Sequence, residues 1–247
     1  MMPELSPWQW ALAAASALLV GVSKTGLPGA GTLMVPLFVL VLPARASTGA
    51  LLPLLVLGDL FAVAWYRRHA LWSHLLRLLP LAAAGVLLGF LAMGRIGDRE
   101  LKYLIAGLVL ALQVFSIWRG LRARGEPTGA GAVWLAAVLG LLAGIATMLA
   151  NAASPIMLAY LLTMQLPKNQ FLGTSAWFFL CINLFKVPFS AGLGLINPAS
   201  LLLDLVLAPA LVGGAFLGVY LARRMPQRAF QIAAQALTAA AALLLLL

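Results

Sequence analysis

The sequence predicts an all-α polytopic membrane protein made of two inverted repeats of about five transmembrane segments each, with a short or broken helix in each half. Three observations lead there. Of 247 residues, 64% are hydrophobic and 9% charged, and the apolar residues gather in long runs with no two-residue or 3.6-residue alternation. The longest polar stretch, Arg119 to Gly131, has thirteen residues, too few for a soluble domain. The two halves also resemble each other. Displaced by 124 residues, Pro43 falls on Pro167, Gly49 on Gly173 and Asp59 on Asn183; displaced by 129, Pro80 falls on Pro209, Gly89 on Gly218, Arg95 on Arg224 and Arg99 on Arg228. Because each half holds an odd number of segments, the second is expected to sit upside down relative to the first, with a ligand between them near the midplane.

Ten apolar segments are expected, over 8–22, 30–43, 47–66, 75–94, 102–118, 130–150, 154–166, 171–191, 199–222 and 228–246. The start, MMPELSPWQW, carries an acid and no base before its apolar run, unlike a cleaved signal peptide, so the first segment is expected to remain. Between segments one and two lies GVSKTGLPGAGTLMVP, Gly21 to Pro36, which reads as an open loop: its glycines tolerate φ > 0 and Pro28 has no N–H. Loops at membrane depth are tolerated where they line a cavity or are buried in protein. Leu33–Leu42 then has ten residues, a half-helix of roughly 15 Å against a hydrocarbon core of about 30 Å.

The third segment carries Asp59 at its middle, and the fourth carries Gly85-xxx-Gly89, a close-packing signature. After the fifth, RGLRARGEPTG joins the halves, 1–122 and 123–247. MLANAASP, between the sixth and seventh segments, matches the first break: Ser154 before Pro155 reads as a cap and first turn, placing Asn151 and Ser154 at the N-terminal end of a second short helix, Ile156 to Leu166. The eighth segment carries Asn183 and Lys186 on one face. The ninth carries Asp204, read as lying near an interface, and Gly214-xxx-Gly218.

The net charge of +10 comes from bases between apolar segments, which points to topogenic charge and away from nucleic acid. With ten crossings, eleven of sixteen bases (Lys24, Arg67, Arg68, Arg77, Arg119, Arg122, Arg124, Lys168, Arg223, Arg224 and Arg228) fall on one side, which is then cytoplasmic with both termini outside. Eight crossings, with segments two and seven re-entrant, divide the bases nine to seven. Six of seven tryptophans lie near segment ends, as interface anchors do; Trp177 is the exception.

A charge inside an apolar segment costs about 2.5 kcal/mol or more unless it meets a partner or water, so each one is informative. Lys24 either supplies positive charge to an anion or snorkels to the interface, and Asp59 either pairs with Lys24 or carries a coupling proton. HExxH, GxSxG and GxxxxGK[ST] are all absent, and His69 and His74 fall in a basic loop where they read as solvated. No enzyme, metal site or cofactor is expected, and with no ATP site any uphill transport would use an ion gradient. An amino-acid or cation carrier and a non-transporting assembly factor are the alternatives. A cation site would normally want oxygen ligands, which Asp59 and Asp204 supply sparsely.

GVSKTGLPGAGTLMVP, PARASTGALLPLLVLGD, MLANAASP, LPKNQFLGTSAWFF and NLFKVPF together resemble the TauE/SafE sulfite-exporter-like permeases, over essentially the whole chain. The resemblance implies export or exchange of sulfite, sulfonates or related small anions across a bacterial inner membrane. It carries the glycine-rich turn onto Lys24, Gly26, Gly29 and Gly31, and its second-half counterpart onto Asn151, Ala152, Ala153 and Ser154, where the glycines many members have are missing. The candidate substrate residues are therefore Lys24, Thr25, Gly26, Gly29, Gly31, Asn151, Ser154, Asn183 and Lys186, with Asp59 for ion coupling. The expected partners are a small anion, the bilayer and a coupling proton or cation, with self-association left open.

Overall fold

The structure, a computed structural model, describes residues 5–97, 99–100, 103, 107, 111, 114, 118 and 130–244. Its elements are α1 (Pro7–Thr25), a 3-10 turn (Pro28–Thr32), α2 (Met34–Val39), α3 (Ala44–Tyr66), a second 3-10 turn (Arg67–His69), α4 (Trp72–Met93), α5 (Ala130–Ala150), α6 (Ser154–Thr163), α7 (Lys168–Gly192), α8 (Pro198–Arg224) and α9 (Gln227–Leu244). There is no strand among the described residues. The expected fifth segment, 102–118, and the joint between the halves lie outside the described residues apart from scattered positions.

Among the described residues, five helices are long and apolar enough to cross a membrane: Ala44–His69, Trp72–Met93, Val133–Ala150, Lys168–Gly192 and Pro198–Arg224. The two short apolar helices, Pro28–Val39 and Ser154–Thr163, fall in segments two and seven. Outward faces are apolar where a soluble protein would be polar: Leu76 and Leu91 of α4 are 70% and 58% exposed, and Leu205 and Phe216 of α8 are 69% and 55%. Lipid is the solvent that tolerates such faces.

Helix ends follow the local chemistry. Ser6 and Gln9 cap α1 ahead of Pro7, and Asn197 accepts from the Ser200 N–H at 3.0 Å ahead of Pro198 in α8. Extended Pro43 and Pro167 precede α3 and α7. Near the start of each of these two helices, a base bonds the carbonyls that end another helix. Arg45 donates to Met93 and Ile96 at 2.6 and 2.8 Å, closing α4, and Lys168 donates to Ala222 and Met225 at 2.5 and 2.6 Å, closing α8.

Packing exchanges the halves. α4 lies on α5 and, correspondingly, α8 lies on α1; α3 meets α7. The small residues behave as the packing motif requires, because a Cβ at Gly85 would collide with the Leu141 carbonyl and one at Gly144 with that of Ala82. In the other pair, a Cβ at Gly214 would strike the Leu18 carbonyl and one at Gly21 that of Leu211.

Three expectations need correction. Gly21–Pro36 is not an open loop: α1 runs through Lys24 and Thr25, and after Gly26 and Leu27 a 3-10 turn begins at Pro28. The helix after it, α2, has six residues where ten were expected. Lys24 does not snorkel; it is 9% exposed, and Lys186, counted on the opposite face, is 1% exposed. Removing one base from each side leaves ten against four, a sharper asymmetry than before.

Candidate functional site

The two breaks in the chain meet. A Cβ placed on Gly31 would press on the Ser23 hydroxyl and lie 3.6 Å from that of Ser154, so the first break comes up against the Ser154 side chain of the second. Between them is a cavity of about 10 Å³, room for roughly one water. It is lined by Ser23, Lys24 and Pro28 from the first break, by Ser154 from the second, and by Phe171, Ser175 and Phe179 from α7. Spaced by four, those three α7 residues share one helical face with Asn183 below them.

Lys24 Nζ lies 2.8 Å from Asp59 Oδ1 and 3.9 Å from the centre of the Phe179 ring. Of the two readings of Asp59, the ion pair is therefore formed. Asn183, which falls on Asp59 when the sequence is displaced by 124, donates to its other oxygen at 2.7 Å. A second buried lysine lies nearby in sequence: Lys186 donates to the Thr147 carbonyl at 2.8 Å and to Asn151 Oδ1 at 2.5 Å, and Asn151 donates in turn to the Thr48 carbonyl at 2.9 Å. This cluster thus holds two lysines, Lys24 and Lys186, and one carboxylate, Asp59, a surplus of one positive charge when all three are ionised. Burying a charge is tolerated when hydrogen bonds and an opposite charge surround it.

The remaining candidates separate. Thr25 turns away from the cavity, its hydroxyl reaching the Gly21 and Ala215 carbonyls at 3.0 and 2.7 Å. Gly26 abuts the backbone of Gly218, and Gly29 is buried within the 3-10 turn. Asn151 does not start the second short helix; it ends α5 with φ 52, the left-handed conformation that asparagine tolerates after a helix. Ser154 is the first residue of α6 and no side chain caps that helix, contrary to the capping role expected of it. Asp204 is buried in the protein, and neither carboxylate oxygen has a hydrogen-bond partner.

His74 also differs from expectation: its Nδ1 lies 2.7 Å from the hydroxyl of Tyr160 on α6, so it is not simply solvated. Sequence reasoning passed over Ser23, Ser175 and Phe179. The i, i+4 run Phe171, Ser175, Phe179, Asn183 was the signal available for the α7 residues. Among the described residues no three His, Cys, Asp or Glu side chains gather as a metal site requires.

The family model described as Sulfite exporter TauE/SafE matches residues 13–245. No curated protein and no solved structure matches the chain.

Proposed function

The chain belongs to the sulfite exporter TauE/SafE family of membrane transporters, and from that premise we propose that it is a secondary permease of a bacterial inner membrane. Its substrate is a small anion, sulfite or an organosulfur or other organic anion, moved by alternating access between inverted halves at 1–122 and 123–247. The observation that carries this reading is the contact of the two breaks around Ser23, Lys24 and Ser154. The hydroxyls supply neutral donors, and the uncapped first turn of α6 adds backbone N–H groups with partial positive charge. The surplus positive charge of the buried cluster favours an anion over a cation.

At about one water in volume, the cavity is too small for such an anion as it stands. Substrate enters when the breaks part. An arriving anion competes with Asp59 for Lys24, and the carboxylate so released takes up the coupling proton or cation.

Because Lys24 is already paired, its removal would strand Asp59 and confuse folding with binding. Filling the cavity is the cleaner test. Gly31→Val and Ser154→Val, each purified monodisperse, are expected to lose the stabilisation that sulfite, thiosulfate, sulfoacetate or a carboxylate confers on the wild type in thermal unfolding. Wild-type affinity in both variants would put the site elsewhere.

A further inference from the structure

A second cavity, of about 300 Å³, opens where α3 ends and α7 begins, beside the last turn of α8. It shares no lining residue with the central one. Trp65, Tyr66, His69, Lys168 and Arg223 line it, with no acid among them. Lys168 is held in place by the carbonyls of Ala222 and Met225, which fix its ammonium without supplying a countercharge. Arg223 is exposed, and the neighbouring Arg224 lies over the Tyr220 ring at 4.4 Å.

The flank of this cavity is aromatic. Trp65 meets Phe216 edge-on at 5.4 Å and stacks with Phe61 at 6.3 Å, while Phe216 and Tyr220 are 55% and 49% exposed. Aromatic rings collect at headgroup depth, and basic pockets between helix ends bind anionic headgroups. Five of the bases around it, Arg67, Arg68, Lys168, Arg223 and Arg224, belong to the face that carries the positive excess.

We propose that this cavity is a binding site for a phosphate-type oxyanion, held by Arg223, His69 and Lys168 beside Trp65. The oxyanion is either the phosphodiester of an anionic lipid or a free anion. The cavity's size admits a headgroup, and its lack of any acid leaves its charge for a ligand to neutralise.

The test uses the full chain, delipidated in detergent. Native mass spectrometry compares retention of phosphatidylglycerol and phosphatidylcholine with the same acyl chains, and thermal unfolding is followed against inorganic phosphate. Wild type is expected to prefer phosphatidylglycerol, to be stabilised by phosphate, or both. Preference for the lipid alone identifies a headgroup site, and stabilisation by phosphate identifies a site for free oxyanions. Arg223→Gln and His69→Gln should each weaken the effect, Arg223→Gln about fivefold, the scale of one base at an anionic surface. Arg95→Gln, an exposed base outside the cavity, should leave it intact. Neither lipid preference nor phosphate stabilisation in the wild type, or wild-type behaviour in both cavity variants, overturns the proposal. Stabilisation by sulfite in Arg223→Gln, measured alongside, reports on the central cavity separately, so one reading can fail without the other.

Discussion

The two breaks bring one helix to an end and start another at the same place in each half, yet they do so with opposite chemistry. The first is rich in glycine, and none of its glycines is among the described residues with positive φ. Its chain turns through Leu27, Pro28 and a 3-10 turn, while Gly21 and Gly26 are present because α8 passes at backbone distance and Gly31 because the Ser23 side chain lies against it. The second break has no glycine, yet it holds a left-handed residue, Asn151. Glycine at the first break therefore reports close approach, and at the second the left-handed turn is supplied by an asparagine whose side chain is bonded on both sides.

Charge divides the breaks in the same way. At the first, Lys24 is neutralised by Asp59; at the second, Lys186 finds only neutral acceptors in Thr147 and Asn151. Asp59→Ala, which leaves a buried lysine unpaired, is expected to destabilise by about 3–5 kcal/mol, with Lys24→Met and Asp59→Leu together recovering most of it. Lys186→Met removes the charge along with its bonds and should cost about 1–3 kcal/mol, the scale of buried acceptors left unpaired. Thermal unfolding in one detergent ranks them. Equal losses would mean that the two lysines are not held differently.

Gly26→Ala comes next, at about 1–3 kcal/mol, because the new methyl meets the backbone of Gly218, which cannot rotate aside. At the second break the comparison is between two substitutions of one residue. Asn151→Gly loses the bonds to Lys186 and Thr48 but keeps the left-handed turn, whereas Asn151→Ala loses both. The difference, about 1–2 kcal/mol in favour of glycine, is the backbone contribution alone. Equal stabilities would show that φ at Asn151 is not what holds this break.

The sequence displayed the helices well because apolar runs and the flanking prolines Pro43 and Pro167 are local signals, and both survive in α3 and α7. The close-packing glycines were also visible, since Gly85 and Gly214 recur at one displacement and each meets a partner helix. The pairing of Asp59 with Lys24 was among the alternatives because a buried charge needs a partner and few existed. What stayed hidden depends on which face of a helix meets which neighbour. Nothing local tells that Thr25 turns to α8 while Ser23, two residues earlier, faces the cavity, or that His74 reaches Tyr160. The 3-10 turn was hidden for a related reason: Pro28 and two glycines suit a loop and a tight helix equally, and packing decided between them.

The smallest expected effect separates what Ser154 does for the fold from what it does for a ligand. A serine before a proline at a helix start reads as a cap, and losing such a cap costs about 1 kcal/mol. Here α6 begins at Ser154 itself, no side-chain oxygen accepts from its first turn, and the hydroxyl lines the central cavity instead. Ser154→Ala removes one oxygen and should therefore change stability by less than about 0.5 kcal/mol, the range of substitutions that break no bond. Its effect on anion affinity should be larger, about 0.5–1.5 kcal/mol for one neutral hydrogen bond. Thermal unfolding measured with and without sulfite separates the two quantities in a single protein. A loss near 1 kcal/mol without ligand, and an unchanged shift with it, would make Ser154 a cap after all and leave the anion to the first break.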